Sequence, residues 1–168
     1  LNIWRAPTDN DRKIKLEWMN AHYDQSYARA YKTTYELAEG TVLIHSVIGL
    51  MAPTVQKILE VKADWQITPD GAVSVKMQVE RDLEFPMLPR FGLRLFLDKE
   101  FTDVTYSGIG PAESYVDKRQ AGYHGVFQTA VEEMHEDYLR PQENGSHTDC
   151  DHVKLSNKDQ SIYAATDL

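Results

Sequence analysis

Several groups of side chains in this 168-residue sequence have types and spacings that could do chemistry. The longest is Arg140-Pro141-Gln142-Glu143-Asn144-Gly145-Ser146-His147, in which Arg, Gln, Glu, Asn, Ser and His could hydrogen-bond a polyol or order a loop. Pro141 fixes one φ, while Asn144 and Gly145 tolerate positive φ, so the stretch should be a shaped loop. Asp9 and Asp11 flank Asn10, and paired carboxylates can do acid–base work or bind a cation. In an Asp-rich turn the same side chains accept backbone N–H groups and pair with Arg5 or Arg12, which is the reading their surroundings favour.

His147, Asp149, Asp151 and His152 could ligate a metal. On a strand, however, 147, 149 and 151 share one face while 152 points the other way. Cys150 has no evident partner base, and Glu132-Glu133 with Glu136-Asp137 reads as a solvated charge cluster. Ser107-Gly108-Ile109-Gly110 lacks the third glycine and following helix of a nucleotide loop, so its glycines should permit a bulge or close backbone packing. Trp4 and Trp18 stay open as sugar platforms, whereas Trp65 reads as core.

The elements that must position these groups are mostly strands. Residues 4–13 are loop, and Leu16, Trp18, Met19 and His22 allow a short helix. The period then becomes two. Tyr27, Arg29, Tyr31, Thr33, Tyr35 and Leu37 share one side, predicting a half-buried strand, and residues 41–50 suit a more buried one. Alternation from Ile58 to Glu80 around Thr68-Pro69-Asp70-Gly71 predicts an antiparallel hairpin with one dry face. Pro86 and Pro89 break the sheet. Strands are predicted over 91–97 and 101–106, an irregular stretch from Ser107 to about Gly122, then strands over 123–131, 148–156 and 160–165. Successive short strands with little helix predict an all-β sandwich of antiparallel sheets, and with no linker or repeat, a single domain over 1–168.

A formal net charge of -8 argues against nucleic acid, because neutralising phosphates needs surplus Lys and Arg. One cysteine excludes an internal disulfide and any multi-thiolate zinc site. No apolar run approaches the roughly 20 residues that span a bilayer, and cytosol and periplasm both stay open. The ends, Leu1 and Leu168, read as cuts in a longer protein, so missing targeting signals carry little weight.

Trp4-Arg5-Ala6-Pro7-Thr8-Asp9-Asn10-Asp11, Pro89-Arg90-Phe91-Gly92-Leu93, Gly108-Ile109-Gly110-Pro111-Ala112-Glu113-Ser114-Tyr115 with Asp117-Lys118-Arg119, and Arg140-Pro141-Gln142-Glu143-Asn144-Gly145 occur in this order across nearly the whole chain. Together they resemble the C-terminal small-chain domain of the large bacterial β-galactosidases, glycoside hydrolase family 2. The resemblance implies a twisted antiparallel β-supersandwich of the galactose mutarotase-like kind. It also implies a parent enzyme that releases terminal non-reducing β-D-galactose, as from lactose, with retention. Such enzymes use two carboxyl groups roughly 5 Å apart. In the family both come from a TIM-barrel domain, together with the groups that bind Mg2+ and Na+.

By the same resemblance this chain contributes no catalytic residue and no cofactor site, and is inactive alone. The loop carrying Arg140, Gln142, Glu143, Asn144 and Gly145 is implied to lie at the active-site mouth and to move, with Gly145 as its hinge. Arg5, Asp9 and Asp11 are implied to sit against the barrel domain, with Arg5 and Asp9 as a buried, orienting pair. A family tryptophan that stacks on the aglycone sugar lies beyond Leu168. Ala112, Ser114 and Val116 depart from the family's usual residues and should alter packing or a domain contact. The expected partners are the parent's other domains, a β-galactoside and further copies of the parent, with no membrane. The alternatives are a stand-alone carbohydrate-binding or mutarotase-like module, which needs a converging acid–base pair, and an oligomerisation domain.

Overall fold

The computed structural model describes residues 1–166. Among the described residues one short α-helix, α1 (Ile14–Asn20), precedes eight strands: β1 (Tyr27–Ala38), β2 (Thr41–Met51), β3 (Leu59–Ile67), β4 (Val73–Arg81), β5 (Asp103–Gly110), β6 (Tyr123–Ala130), β7 (His152–Ser156) and β8 (Ser161–Ala165). They form two four-stranded antiparallel sheets, ordered β1-β2-β3-β4 and β6-β5-β7-β8. The all-β class expected of a sandwich domain is therefore present. Among the described residues no helix is long and apolar enough to cross a membrane. The chain divides into two compact units, one up to Arg94 and one from Leu95 onward.

In the first unit β1 turns into β2 through Glu39 and Gly40, at φ 52° and 82°, the paired positive angles of a two-residue hairpin turn. The predicted β3–β4 hairpin closes through Thr68-Pro69-Asp70-Gly71, with Gly71 at φ 87° donating its N–H to Thr68 O at 2.9 Å. Leu59, Val61 and Ala63 of β3 and Leu50 of β2 are buried against Ile3, Trp18, Tyr23, Ala52 and Ile58, so α1 and the N-terminal loop roof one end of the sheet. Trp18 Nε1–H donates to Met87 O at 2.8 Å and the Tyr23 hydroxyl to Pro86 O at 2.6 Å, which lets both rings go under without an unsatisfied donor. Burial pushes the Tyr23 phenol up to about 12, with Arg81 pulling the other way. Trp18 is thus core and not a sugar platform, Trp4 meets it edge-on, and Trp65 is only half-buried at the margin of the cluster.

Four strand expectations need correction, the simplest being that over 148–156, where the strand begins only at His152 after Asp149 takes a positive φ of 51°. β1 is exposed along its whole length, and its alternation is broken at Tyr31, where the register with β2 jumps between Ala30 and Lys32. A β-bulge reverses the facing of every later residue. Tyr31 consequently lies over Gly49 beside Arg29 and Lys57, while Thr33, Tyr35 and Leu37 share the opposite face with Ser46, Ile44 and Val42. No strand forms over 91–97. Only Gly92 pairs, in a single bridge with Asn2, because alternation makes a segment able to extend but a ladder needs a neighbour. Conversely, Ser107-Gly108-Ile109-Gly110, expected to be irregular, is the second half of β5. Its glycines serve close packing and no bulge: the β5–β6 register runs unbroken, and a Cβ on Gly108 would stand 2.5 Å from Cys150 Sγ.

Candidate functional site

The octapeptide read as a shaped loop lies in a stretch without regular structure between Met134 and β7. What holds it is Glu113, three residues past the end of β5. Its residue is 8 % exposed. Oε1 accepts from Lys118 Nζ at 2.5 Å and from the Tyr138 hydroxyl, and Oε2 accepts from the Gly145 N–H at 2.9 Å. Lys118 also reaches the Tyr138 hydroxyl at 2.8 Å and stands over its ring. Burial pushes the Glu113 carboxyl up, but the hydrogen bonds from Lys118, Tyr138 and Gly145 together outweigh it and hold the group below its ordinary range. Lys118 is raised in turn, first by its hydrogen bond to Glu113.

Ser114 continues the attachment. Its N–H donates to Ser146 O at 2.7 Å, its Oγ accepts from the Thr148 N–H at 2.7 Å, and Thr148 Oγ1 lies 3.0 Å away. His147 donates from Nδ1 to Ile109 O at 3.1 Å and packs against the Tyr106 ring at a tilt of 42°. Gly145 sits at φ 73°, and a Cβ there would stand 2.5 Å from Met134 O. Asn144 braces the loop from within, accepting from the Glu136 N–H and donating to Gln142 O, both at 3.1 Å. Leu139, Arg140 and Pro141 are exposed, and Gln142 and Glu143 half-buried. The loop therefore has a fixed limb, 144–148, and an exposed tip at 139–141. Beside the fixed limb the Tyr115 hydroxyl is buried without a hydrogen-bond partner.

The Asp-rich loop has its own anchor in the first unit. Asp11 accepts both ends of the Arg5 guanidinium, at 2.5 and 3.0 Å, and also the Thr8 N–H at 2.7 Å. Arg5 lies over the Trp18 ring and reaches Pro89 O. Burial pushes Asp11 up, and the Arg5 and Thr8 hydrogen bonds overcome that to lower it. The buried partner of Arg5 is thus Asp11, where Asp9 was expected; Asp9 is exposed at the start of the turn. A planar fork needs a carboxylate it can meet side-on, and the turn presents the third residue, not the first, to it.

The remaining candidates disperse. Asp149 pairs with Arg119, Asp151 accepts from Ser107 Oγ at 2.8 Å and lies 3.3 Å from His124, and His147 turns to Ile109. Among the described residues no group of three or more His, Cys, Asp or Glu could hold a metal ion. Burial, then Asp151 and Asp149, push the Cys150 thiol up, away from a reactive thiolate. His45 pairs with Asp64 and His135 with Asp137, each in the open. Sequence reasoning missed Glu113, Lys118 and Tyr138 as a unit. The only signal was Glu113 and Lys118 within one motif, and nothing in spacing ties them to Tyr138.

Residues 1–167 match the family described as Beta galactosidase small chain. The chain belongs to that family. It is 43% identical over 156 residues to a β-galactosidase of Actinobacillus pleuropneumoniae, covering 93% of this chain and 16% of that protein. With the Staphylococcus xylosus β-galactosidase it shares 37% over 168 residues, 99% of this chain and 17% of the relative. With that of Lactobacillus delbrueckii subsp. bulgaricus it shares 36% over 146 residues, 86% and 14%. The chain spans about one sixth of the length of these curated relatives. Within this small-chain family member, the Glu113 network joins two of the motifs that carried the resemblance, 108–115 and 140–145.

Proposed function

We propose that this chain is the small-chain part of a β-galactosidase that hydrolyses terminal non-reducing β-D-galactosides with retention, and that it supplies scaffold, a domain contact and a rim loop, while the catalytic carboxylates lie in the rest of the parent. The observation that carries this is the family match over 1–167 in a chain one sixth as long as its relatives. The chemistry of the buried acids supports it. A glycosidase acid must be protonated near neutrality, which requires a raised pKa. Asp11 and Glu113 are both lowered, and each is held by a cation, a hydroxyl and one backbone N–H, the environment of an anchor. Mg2+ and Na+, expected of the full-length enzyme by the family resemblance, belong in this reading to the parent's other residues.

In this role Arg140, Gln142, Glu143, Asn144 and Gly145 form the pocket rim, with the exposed tip free to meet substrate and the Glu113-bound limb fixed. Arg5, Asp9 and Asp11 face the barrel domain, and the parent is a homo-oligomer. The test is hydrolysis of a chromogenic β-galactoside. Parent-length protein should turn over, and Arg140→Ala should raise KM a few-fold with kcat nearly unchanged. Turnover by the 168-residue chain alone, above a heat-killed control, would overturn the reading.

A further inference from the structure

Of the five asparagines, only Asn144 precedes a glycine; the others precede Ile3, Asp11, Ala21 and Lys158. An asparagine carries a reactive amide carbon within reach of the next backbone nitrogen, and a glycine there, having no Cβ, leaves the approach open. Gly145 N gives up its proton and bonds to Asn144 Cγ, closing a five-membered succinimide. The Cγ–Nδ2 bond breaks, and the nitrogen leaves as ammonia with that proton. Water then opens the ring at either carbonyl, giving aspartate or isoaspartate at 144. Water is the only co-reactant.

In the folded loop both reacting groups are held. The Gly145 N–H donates to Glu113 Oε2 at 2.9 Å. That charge-assisted bond must break before the nitrogen can lose its proton, and an amide anion formed beside a carboxylate would be repelled by it. The Asn144 carboxamide is tied at both ends, to the Glu136 N–H and to Gln142 O, each at 3.1 Å. Just downstream, Ser114 pins Ser146 and Thr148.

We propose that Asn144 is a deamidation site guarded by Glu113, and that conversion there unlatches the fixed limb irreversibly. Reaction proceeds only from molecules whose loop has opened, so the opening equilibrium sets its rate. Isoaspartate routes the backbone through the side chain and adds one main-chain atom ahead of Gly145, which shifts the N–H off Oε2. Aspartate keeps the spacing, but the group that donated to Gln142 O becomes an acceptor facing it, and a new charge stands beside Glu143. Either product weakens the latch that guarded its precursor. Every group involved lies between Glu113 and Thr148, inside the second unit, and the chemistry is independent of what the parent hydrolyses.

Parent-length protein and a synthetic peptide of residues 134–150, aged side by side at mildly alkaline pH, test this. Peptide mapping reads conversion at 144, and methyltransferase labelling reads isoaspartate. The folded protein should convert about ten-fold or more slowly than the peptide. Glu113→Gln should recover most of that factor. Lys118→Gln, which removes the carboxylate's cation and leaves the carboxylate, should recover part of it. Across the three proteins, conversion should rise in step with hydrogen exchange at the Gly145 N–H, which keeps the proposal falsifiable if Glu113→Gln folds badly. Protein carrying isoaspartate should be cut by protease between 135 and 148, where fresh protein resists. Folded protein that converts as fast as the peptide overturns the proposal. So does Glu113→Gln at an unaltered or slower rate, because Glu113 is then a bystander or a base for the reaction. Isoaspartate-bearing protein as resistant as fresh protein overturns the irreversible unlatching.

Discussion

Around Trp18 the chain is held by apolar burial, and around Glu113 by charge and hydrogen bonds. The first unit carries Trp18, Tyr23, Leu50, Leu59 and Val61 at 2% exposure or less, with hydrogen bonds only sealing the two aromatic tips. In the second unit Val104 and Tyr106 share the buried set with Ser107, Glu113 and Ser114. Apolar contact is non-directional and tolerates small shifts, whereas the Glu113 carboxylate fixes the N–H of one particular residue. The first arrangement makes a wall. The second fixes the backbone of a loop that has no ladder of its own.

The two regions should fail differently. Trp18→Ala removes the largest buried side chain and leaves Met87 O without its donor, so it should cost about 3–5 kcal/mol, read as a lower denaturation midpoint of the first unit. Glu113→Gln keeps the shape but returns fewer acceptors to Lys118, Tyr138 and Gly145, and should cost about 2 kcal/mol with new proteolytic cleavage between 135 and 148. Asp11 and Glu113, lowered from ordinary values of 3.8 and 4.5, contribute stability that is complete above those values and is lost as pH falls through their lower folded pKa. Denaturant titrations from pH 7 down to about 2 should therefore show an acid limb that Asp11→Asn and Glu113→Gln each flatten. Gly145→Ala places a Cβ at φ 73° against Met134 O and should cost about 1–2 kcal/mol, confined to the second unit. Arg140→Ala, at the exposed tip, should change stability by less than about 0.5 kcal/mol.

What was legible in the sequence follows the same division. The β3–β4 hairpin and its Gly71 turn could be read because period-two alternation and turn chemistry are local. The bulge at Tyr31 could not, since one extra residue leaves the composition of a strand unchanged while reversing its faces. β5 was cut short at Ser107 because Gly-Ile-Gly reads as irregular until Cys150 and Phe127 supply the side chains that need the space. The motifs containing Glu113 and Asn144-Gly145 were visible, but their bond spans 32 positions and depends on three-dimensional return of the chain. Asp11 displaced Asp9 as the partner of Arg5 for a similar reason: the two carboxylates are alike in type, and only the turn's geometry distinguishes them.

Amide hydrogen exchange on Glu113→Gln probes the division most directly. The N–H groups of Gly145 and Thr148 should lose protection by ten-fold or more while those of β2 and β3 exchange at the unaltered rate. Unchanged protection at 145 and 148, or loss that spreads equally into β2 and β3, would contradict a loop held by one buried carboxylate.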